Sequence, residues 1–548
     1  MRFWSGAAVE NFLSSRRILL LFAFPFMHCV IGSGPAGVAC AKALLAQGAE
    51  VLMLDAGVEL EPDRAEIVRR LGTLNASEWP AENVAALKRG MLAPAGRAPQ
   101  KLTFGSDYPY RDTDGDAPWR GQGASVRPSL ALGGFSTVWG AAMLPYRDDD
   151  LADWPVKSGE LARHYEAVLN FVDFSAQPDD LEKLFPLYSR QAGRLRSSRQ
   201  ADQLLQNLAQ HRTPLQRAGW YFGRARLAIR AGNGSGGCTY CRMCLYGCPY
   251  GCIYNSADTV REMQADQRFK YQPDVIVTKL REEGRQVVVE GHHRRTREPL
   301  SFTVDRVFLA AGIVPTTRIL LRSQGAYDRP LQARDSQYFI FPLLMARRLV
   351  EVSSEDAYTL SQLFIEIINN PRVSRRPVHL QIYTYNDIIA QTVRKAFGPF
   401  KFLAKPLEQR ILIAQGYLHS DESPTIEMTL KRDGDRDYLQ LSSEPHPEMR
   451  RTVKRVLREF FRQSRSIGGI PMTPMLQLML PGQGFHSGGS FPMRAEPREF
   501  ESDRLGRPHG WSRVHAVDAT IFPSVPATTI TFPVMANAHR IGWESAKL

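Results

Sequence analysis

Residues 28–57, HCVIGSGPAGVACAKALLAQGAEVLMLDAG, decide the fold class. An apolar run beginning near Met27 reads as a strand, Gly32-x-Gly34-x-x-Gly37 as a turn into an amphipathic helix, and a second apolar run ends at Asp55. A lone G-x-G-x-x-G is weak evidence. Set between strand and helix, with an acidic residue eighteen positions after its last glycine, it is the fingerprint of a dinucleotide-binding βαβ unit. Gly32 permits the tight turn, Gly34 lets backbone approach a pyrophosphate, and Gly37 lets the helix lie on the strand. The helix N-terminus then attracts phosphates and Asp55 binds ribose hydroxyls.

The chain has 548 residues, more than one hydrophobic core organises, so two domains are expected. A net charge of +13 suits an acidic electron acceptor, an anionic membrane or a phosphorylated substrate, and equally the solvated faces of ordinary helices. No basic stripe is interleaved with aromatics, which argues against nucleic acid. Arg16 and Arg17 precede an apolar run at 18–26 that resembles the core of a signal peptide. No small-residue cleavage site follows it, the first strand begins almost at once, and the run is too short to span a bilayer. The expectation is a cytoplasmic protein or one peripheral to the inner membrane face, with export, or a natural start at Met27, as alternatives.

Five of the seven cysteines lie in 238–256, CTYCRMCLYGCPYGCIYNS. Cys238, Cys241, Cys244 and Cys248, followed by Pro249, give C-x2-C-x2-C-x3-C-P, the spacing of ferredoxin loops around an iron–sulfur cluster. Cys252 is a spare or alternate ligand. A four-cysteine zinc site, or disulfides in an exported protein, are the other readings of the same residues.

Elsewhere, 60–125 reads as a peripheral segment with a lid or loop at 108–123. The stretch 132–140, LGGFSTVWG, is too rich in glycine and aromatics for plain core, and its adjacent glycines bring backbone against a flat ligand. Helix is expected at 159–171 and over 181–230. Strands are expected at 272–280 and 286–291, and a buried one ends in the glycine turn of 304–312, VDRVFLAAG. From 335 to 480 alternating strands (337–350, 377–385, 424–442) and a helix near 386–412 suggest an antiparallel sheet over a pocket. That helix carries Arg394, Lys395, Lys401, Lys405 and Arg410 beside Phe397, Phe400 and Phe402, a pattern open to membrane contact or to ordinary packing. His486 stands in a glycine-flanked turn, GFHSGGS, and reads as a base presented to a pocket. Cys40 reads as core, His539 as a helix histidine without a ligand role, and His292 and His293 as a solvated turn. The last helix spans about 532–546.

Taken together and in this order, GSGPAG, LGGFSTVWG, LAAG, HSGGS and VDATIFPS resemble the glucose-methanol-choline (GMC) family of FAD oxidoreductases across most of 27–548. GGFSTVW is most similar to the pyranose oxidase branch, and the cysteine-rich insert is similar to the iron–sulfur catalytic subunits of bacterial sugar and polyol dehydrogenases. The resemblance implies an α/β fold with a discontinuous Rossmann-like FAD-binding domain (27–158, 257–334 and 481–548). A helical, cysteine-rich insert (159–256) and a substrate domain on an antiparallel sheet with helices (335–480) would complete it. It implies that Gly32, Gly34 and Gly37 hold the FAD pyrophosphate, Asp55 the adenosine ribose, and Val277 the adenine through its backbone. Gly133, Gly134, Ser136, Thr137 and Trp139 would line the flavin, with Asp518 and Ala519 at its ribityl and phosphate. Where the pyranose oxidase pattern has the histidine that links to FAD, this chain has Val138, so FAD is expected to be non-covalent. His486 matches the catalytic histidine. Its partner position falls on Thr529, which can hydrogen-bond a substrate oxygen but cannot carry a proton charge near neutral pH.

The leading expectation is an FAD-dependent dehydrogenase oxidising a CH–OH group of a sugar, glycoside or other alcohol. Its electrons would pass through a 3Fe-4S or 4Fe-4S cluster to an acceptor protein or quinone. The rivals are a zinc-stapled alcohol oxidase using oxygen and a redox-silent flavoprotein subunit.

Overall fold

Five parallel strands form the centre of the molecule, in the spatial order Val514–Ala516, Arg306–Leu309, Met27–Ile31, Glu50–Leu54, Phe269–Gln272. Both faces of this sheet are covered, and MHCVI and RVFL accordingly read as near-continuous apolar runs instead of alternating ones. Helix Pro35–Ala46 returns from strand Met27–Ile31 and packs on the C-terminal helix Thr531–Ser545. The two helices meet closely enough that a Cβ on Gly542 would lie 2.8 Å from the carbonyl oxygen of Cys40, a buried core residue as expected. The structure, a computed structural model, describes residues 20–23, 27–89, 101–232, 236–398, 400, 404–434 and 436–546. The twin arginine and most of the apolar run at 18–26 lie outside the described residues, as do Lys401 and Phe402.

A four-stranded sheet flanks the centre: Leu20–Ala23, Pro299–Val304, Gln286–His293 and Val275–Glu283. Helix Ile313–Ser323 lies on its last strand, tied by a hydrogen bond from the Leu280 amide to Ser323 Oγ (2.8 Å).

The antiparallel part has two sheets. One holds Ser487–Gly488, Pro330–Asp335, Thr425–Asp433, Arg436–Glu444 and Trp119–Gln122. The other runs Gly469–Pro471, Tyr338–Met345, Ile411–Leu418, Val378–Tyr383, Leu363–Ile367, Trp220–Arg224, with Gln477–Leu478 also on Tyr338–Met345. Alternation sorts the second sheet's residues by face. Leu363, Ile365, Ile367, Leu380, Ile382 and Ala414 pack with Leu204 and Leu208 of helix Arg199–Gln210 and with Val453, Val456 and Phe460 of helix Met449–Arg462. The opposite face is polar. One cross-strand row reads Tyr221, Glu366, His379, Tyr417, Tyr338, and the next has Phe364, Gln381, Gln415 and Ile340. A sheet with one greasy and one hydrogen-bonding face is built to cover helices on one side and a polar site on the other.

Three expectations need correction. The segment 181–230 is not continuous helix: it contains helices Arg199–Gln210 and Arg212–Arg217, then the edge strand Trp220–Arg224, which Gly219 starts at φ +79°. The helix near 386–412 is two pieces, Asp387–Phe397 and Lys405–Glu408, parted at Gly398 (φ +52°) and followed by a strand from Ile411. Finally, 424–442 is a hairpin, not one strand, turning at Gly434. Among the described residues no helix is long and apolar enough to cross a membrane.

A Cβ on Gly37 would lie 1.9 Å from the Gly32 carbonyl oxygen, whereas one on Gly34 meets nothing within 4 Å. Gly37→Ala is therefore expected to destabilise the ligand-free protein by about 1–3 kcal/mol or more, and Gly34→Ala to leave it unchanged. Thermal unfolding of the two variants side by side checks this.

Candidate active site

The carboxyl ends of strands Met27–Ile31 and Arg306–Leu309 open into one cavity of about 250 Å³. This is the crevice where the strand order reverses and where open α/β sheets bind ligands. Each strand feeds a helix whose N-terminus faces the crevice. Gly34 caps Pro35–Ala46 and Gly312 caps Ile313–Ser323, neither with a side-chain cap, so amide donors are left for an anion. Gly32 makes this possible, because at φ +104° a Cβ there would stand 2.6 Å from the Ala310 carbonyl oxygen. The open space over Gly34 is on the cavity wall, so its missing side chain leaves room for a ligand and not for protein.

Asp55 closes the second strand as the sequence suggests. Its carboxylate accepts hydrogen bonds from the Ser33 amide (3.2 Å) and hydroxyl (2.8 Å), the Gly57 amide (3.1 Å) and Tyr271 Oη (3.2 Å). Burial outweighs these donors and pushes its proton affinity up to about 6. Val277 is also on the wall, with Val275 and Ile276, at a bulge in its strand.

The stretch 132–140 divides. Gly134 and Phe135 line the cavity, and a Cβ on Gly134 would sit 3.3 Å from Gly34 Cα. Gly133, Ser136, Thr137 and Trp139 are not brought into the lining. At Gly133 (φ +88°) a Cβ would stand 2.6 Å from Asn255 Oδ1 and 2.8 Å from the Ala257 amide. Ser136 Oγ, 2.7 Å from Ser256 Oγ, accepts from the Ser256 amide. Thr137 Oγ1 donates to the Gly134 carbonyl, and Trp139 Nε1 to that of Tyr254 (2.9 Å). These residues hold the turn instead of facing its ligand. Asp518, by contrast, is on the cavity wall. Its carboxylate accepts from the Gly312 amide (2.8 Å), Thr316 Oγ1 (2.6 Å) and the Thr520 amide (2.9 Å), so it fastens the second helix N-terminus, and it lines the cavity together with Ala519.

His486 follows Phe485, a cavity-wall residue held at φ +57°. Its ring stacks on Tyr417 (centroids 4.7 Å apart, planes at 24°), and its Nδ1 is buried without a partner. Burial, and then the charge of His379, pull its proton affinity down to about 3, so it is a neutral base at ordinary pH. Thr529 is buried and its Oγ1 accepts from the Leu144 amide (2.8 Å), whereas Oγ1 of the adjacent Thr528 is enclosed with no partner. Of the two threonines, 528 is the one with an unspent hydroxyl.

Cys238, Cys241, Cys244, Cys248 and Cys252 all line one small cavity with Ile229, Thr239, Tyr250 and Ile253. The loop is wound tightly, with Tyr240, Arg242, Gly247 and Gly251 all at positive φ. Amides of Thr359 and Cys252 point at the sulfurs of Cys244 (3.4 Å) and Cys248 (3.3 Å). Hydrogen bonding from the Cys252 thiol holds the Cys248 thiol down to about 6. All seven cysteines are free thiols, so disulfides are not their arrangement. Among the described residues, no group of three or more His, Cys, Asp or Glu side chains has the geometry to hold a metal ion as it stands. The five sulfurs nonetheless share one pocket, and soft donors in that number suit a cluster or zinc better than a hard cation. The loop is also joined to the main cavity. It runs into Asn255 and Ser256, which pin Gly133 and Ser136, and Lys101 donates to the Trp139 carbonyl (2.7 Å) within the field of Cys244.

Two features escaped the sequence reading. Ser33 Oγ joins Asp55 to the Gly133 amide (2.9 Å), coupling the first turn to the second, and only its place inside G-S-G hints at that. The polar row Glu366, His379, Tyr417 was visible as alternation in LFIEI and VHLQIY, but its register partners lie too far apart in sequence to pair by inspection.

No protein-family model matches the chain, and no curated protein matches it in sequence. Its structure is similar to the crystal structure of pyridoxine 4-oxidase from Mesorbium loti, with a TM-score of 0.58 over 95% of this chain and 99% of that one, at 16% sequence identity. At that identity the likeness establishes the fold: an α/β architecture in which a parallel nucleotide-type sheet is joined to antiparallel sheets.

Proposed function

We propose that the chain is an FAD-dependent oxidoreductase of the GMC family that oxidises a CH–OH group of a polyhydroxylated small molecule. The observation that carries this reading is the crevice between Met27–Ile31 and Arg306–Leu309, with two helix N-termini facing it, open space over Gly34 and a neutral, half-buried histidine at its edge. These residues suit FAD. Gly34 and the amides that follow it would take the pyrophosphate, Asp55 the ribose, the 275–277 backbone the adenine, and Gly134 and Phe135 the flavin. Bound there, FAD supplies a two-electron acceptor for hydride. His486 takes the hydroxyl proton and Thr529 and Thr528 orient the oxygen. The polar face of the seven-stranded sheet, with Tyr338, Tyr417 and Gln415, gives a hydroxyl-rich substrate its remaining hydrogen bonds.

The cysteine loop would hold an iron–sulfur cluster. Five sulfurs around one cavity, amides directed at two of them and a direct link to the Gly133–Gly134 turn support that assignment. Such a cluster supplies one-electron transfer toward an acceptor protein or quinone. A structural zinc on the same sulfurs, with oxygen as acceptor, is the second reading, favoured by the structural neighbour's being named an oxidase.

His486→Ala is expected to retain FAD and to lose reduction by the alcohol substrate by roughly 10²–10⁴-fold. Anaerobic stopped-flow spectroscopy of the flavin band measures this, and reduction at the wild-type rate would remove His486 from the reaction. Iron and acid-labile sulfide in the anaerobically purified protein are expected to be present together. Stoichiometric zinc without sulfide, accompanied by hydrogen peroxide formation, would transfer the assignment to the oxidase.

A further inference from the structure

A second cavity, of about 310 Å³, lies apart from the crevice and shares none of its lining residues. Ser353, Tyr385, Arg394, Lys405 and Glu408 are on its wall. Glu408 is buried, and Arg394 spans its carboxylate with two hydrogen bonds (2.7 and 2.8 Å), so these two charges cancel. Lys405 has no carboxylate partner among the described residues, which leaves the wall cationic. Tyr385, itself buried, adds an aromatic ring.

One side chain joins this cavity to the cysteine loop. Arg242 stands between Cys241 and Cys244 at φ +66°. Its guanidinium donates to the Ser353 carbonyl and lies 5.2 Å from the Tyr385 ring centroid, and both residues are on the cavity wall. The segment 352–359 makes the same connection along the backbone. Val352 and Ser353 line the cavity, Ala357 pairs with Cys241, and the Thr359 amide points at Cys244 Sγ (3.4 Å). The far end of the loop, at Ser256, is the end tied to the crevice through Gly133 and Ser136. The cysteines thus stand between two cavities, and only the crevice has an occupant assigned.

We propose that the second cavity binds a small quinone that takes electrons from the cysteine loop, a role that rests on reading the loop as the seat of a redox cluster. A recess of this volume suits a single ring system. A protein acceptor would instead need a surface of about 1,000 Å² or more. The quinone ring packs against Tyr385. Lys405 and the N–H groups of Arg394 not engaged by Glu408 donate to its carbonyl oxygens, which gain negative charge as electrons arrive. Each quinone accepts two electrons, one at a time, and two protons from solvent, and leaves as the quinol. That balances the two electrons and two protons the alcohol loses in becoming a carbonyl compound.

The test is calorimetric titration of the oxidised, FAD-loaded protein, purified anaerobically, with a sulfonated naphthoquinone. Naphthalene sulfonate, which lacks the carbonyl oxygens, is the comparison compound. The quinone is expected to bind about tenfold or more tightly than the comparison compound. Ser353→Trp fills the cavity from an exposed position, and Lys405→Gln removes the unpaired cation. Each is expected to weaken quinone binding by about tenfold or more and to slow reoxidation by the quinone, with alcohol-driven flavin reduction unchanged. No binding by the wild type, equal affinity for the two compounds, or undiminished binding by Ser353→Trp would overturn the proposal. Iron and sulfide analysis of the same sample separates the two readings. A protein with a cluster and no quinone binding loses this site and keeps the relay, whereas one that binds quinone here without iron or sulfide keeps the site and loses the relay.

Discussion

The contact on which the rest depends is backbone against backbone. Gly32 stands so near the Ala310 carbonyl, and Gly37 so near the Gly32 carbonyl, that neither position has space for a Cβ. This closeness brings two parallel strands, and the helices they feed, to one crevice with their amide ends inward. A helix N-terminus gains about 0.3–1 kcal/mol from a nearby anion, more when partly buried, so two of them favour a ligand with phosphates. The cysteine loop, the 132–140 turn and the seven-stranded sheet are arranged around that crevice, and each is tied to it by hydrogen bonds between segments remote in sequence.

Burial sets the charges in the site. Asp55, Asp335 and Asp518 are all taken out of water, and in each desolvation outweighs the hydrogen bonds that favour the ionised form. His486 is pushed the other way and stays neutral. The crevice therefore combines amide dipoles that attract an anion with carboxyls whose ionisation burial disfavours and a histidine whose protonation burial disfavours.

The nucleotide-type half of the fold was legible in the sequence because its signals are local. A strand, three glycines, a helix and an acid lie within thirty residues, and Gly32, Gly34, Gly37 and Asp55 occupy the places their spacing implies. Helix boundaries failed where short elements follow one another, as in 181–230, since basic residues and helical composition continue straight through the edge strand Trp220–Arg224. In the site itself, Ser136 and Trp139 share a motif with the cavity-lining Gly134 and Phe135 yet spend their side chains on internal hydrogen bonds, a difference of orientation that one sequence does not encode. Thr528 and Thr529 illustrate the same point at a single peptide bond: one hydroxyl is bonded to Leu144 and the other is not. Glu366, His379 and Tyr417 come together only through strand register.

The measurement that tests the account most directly is the flavin content of the purified protein: its visible spectrum, and the identity and amount of nucleotide released on denaturation. The account predicts a flavin spectrum and one FAD per chain, released intact because no covalent link holds it. A protein that purifies without flavin and does not take up added FAD, while folded and stable, would contradict it.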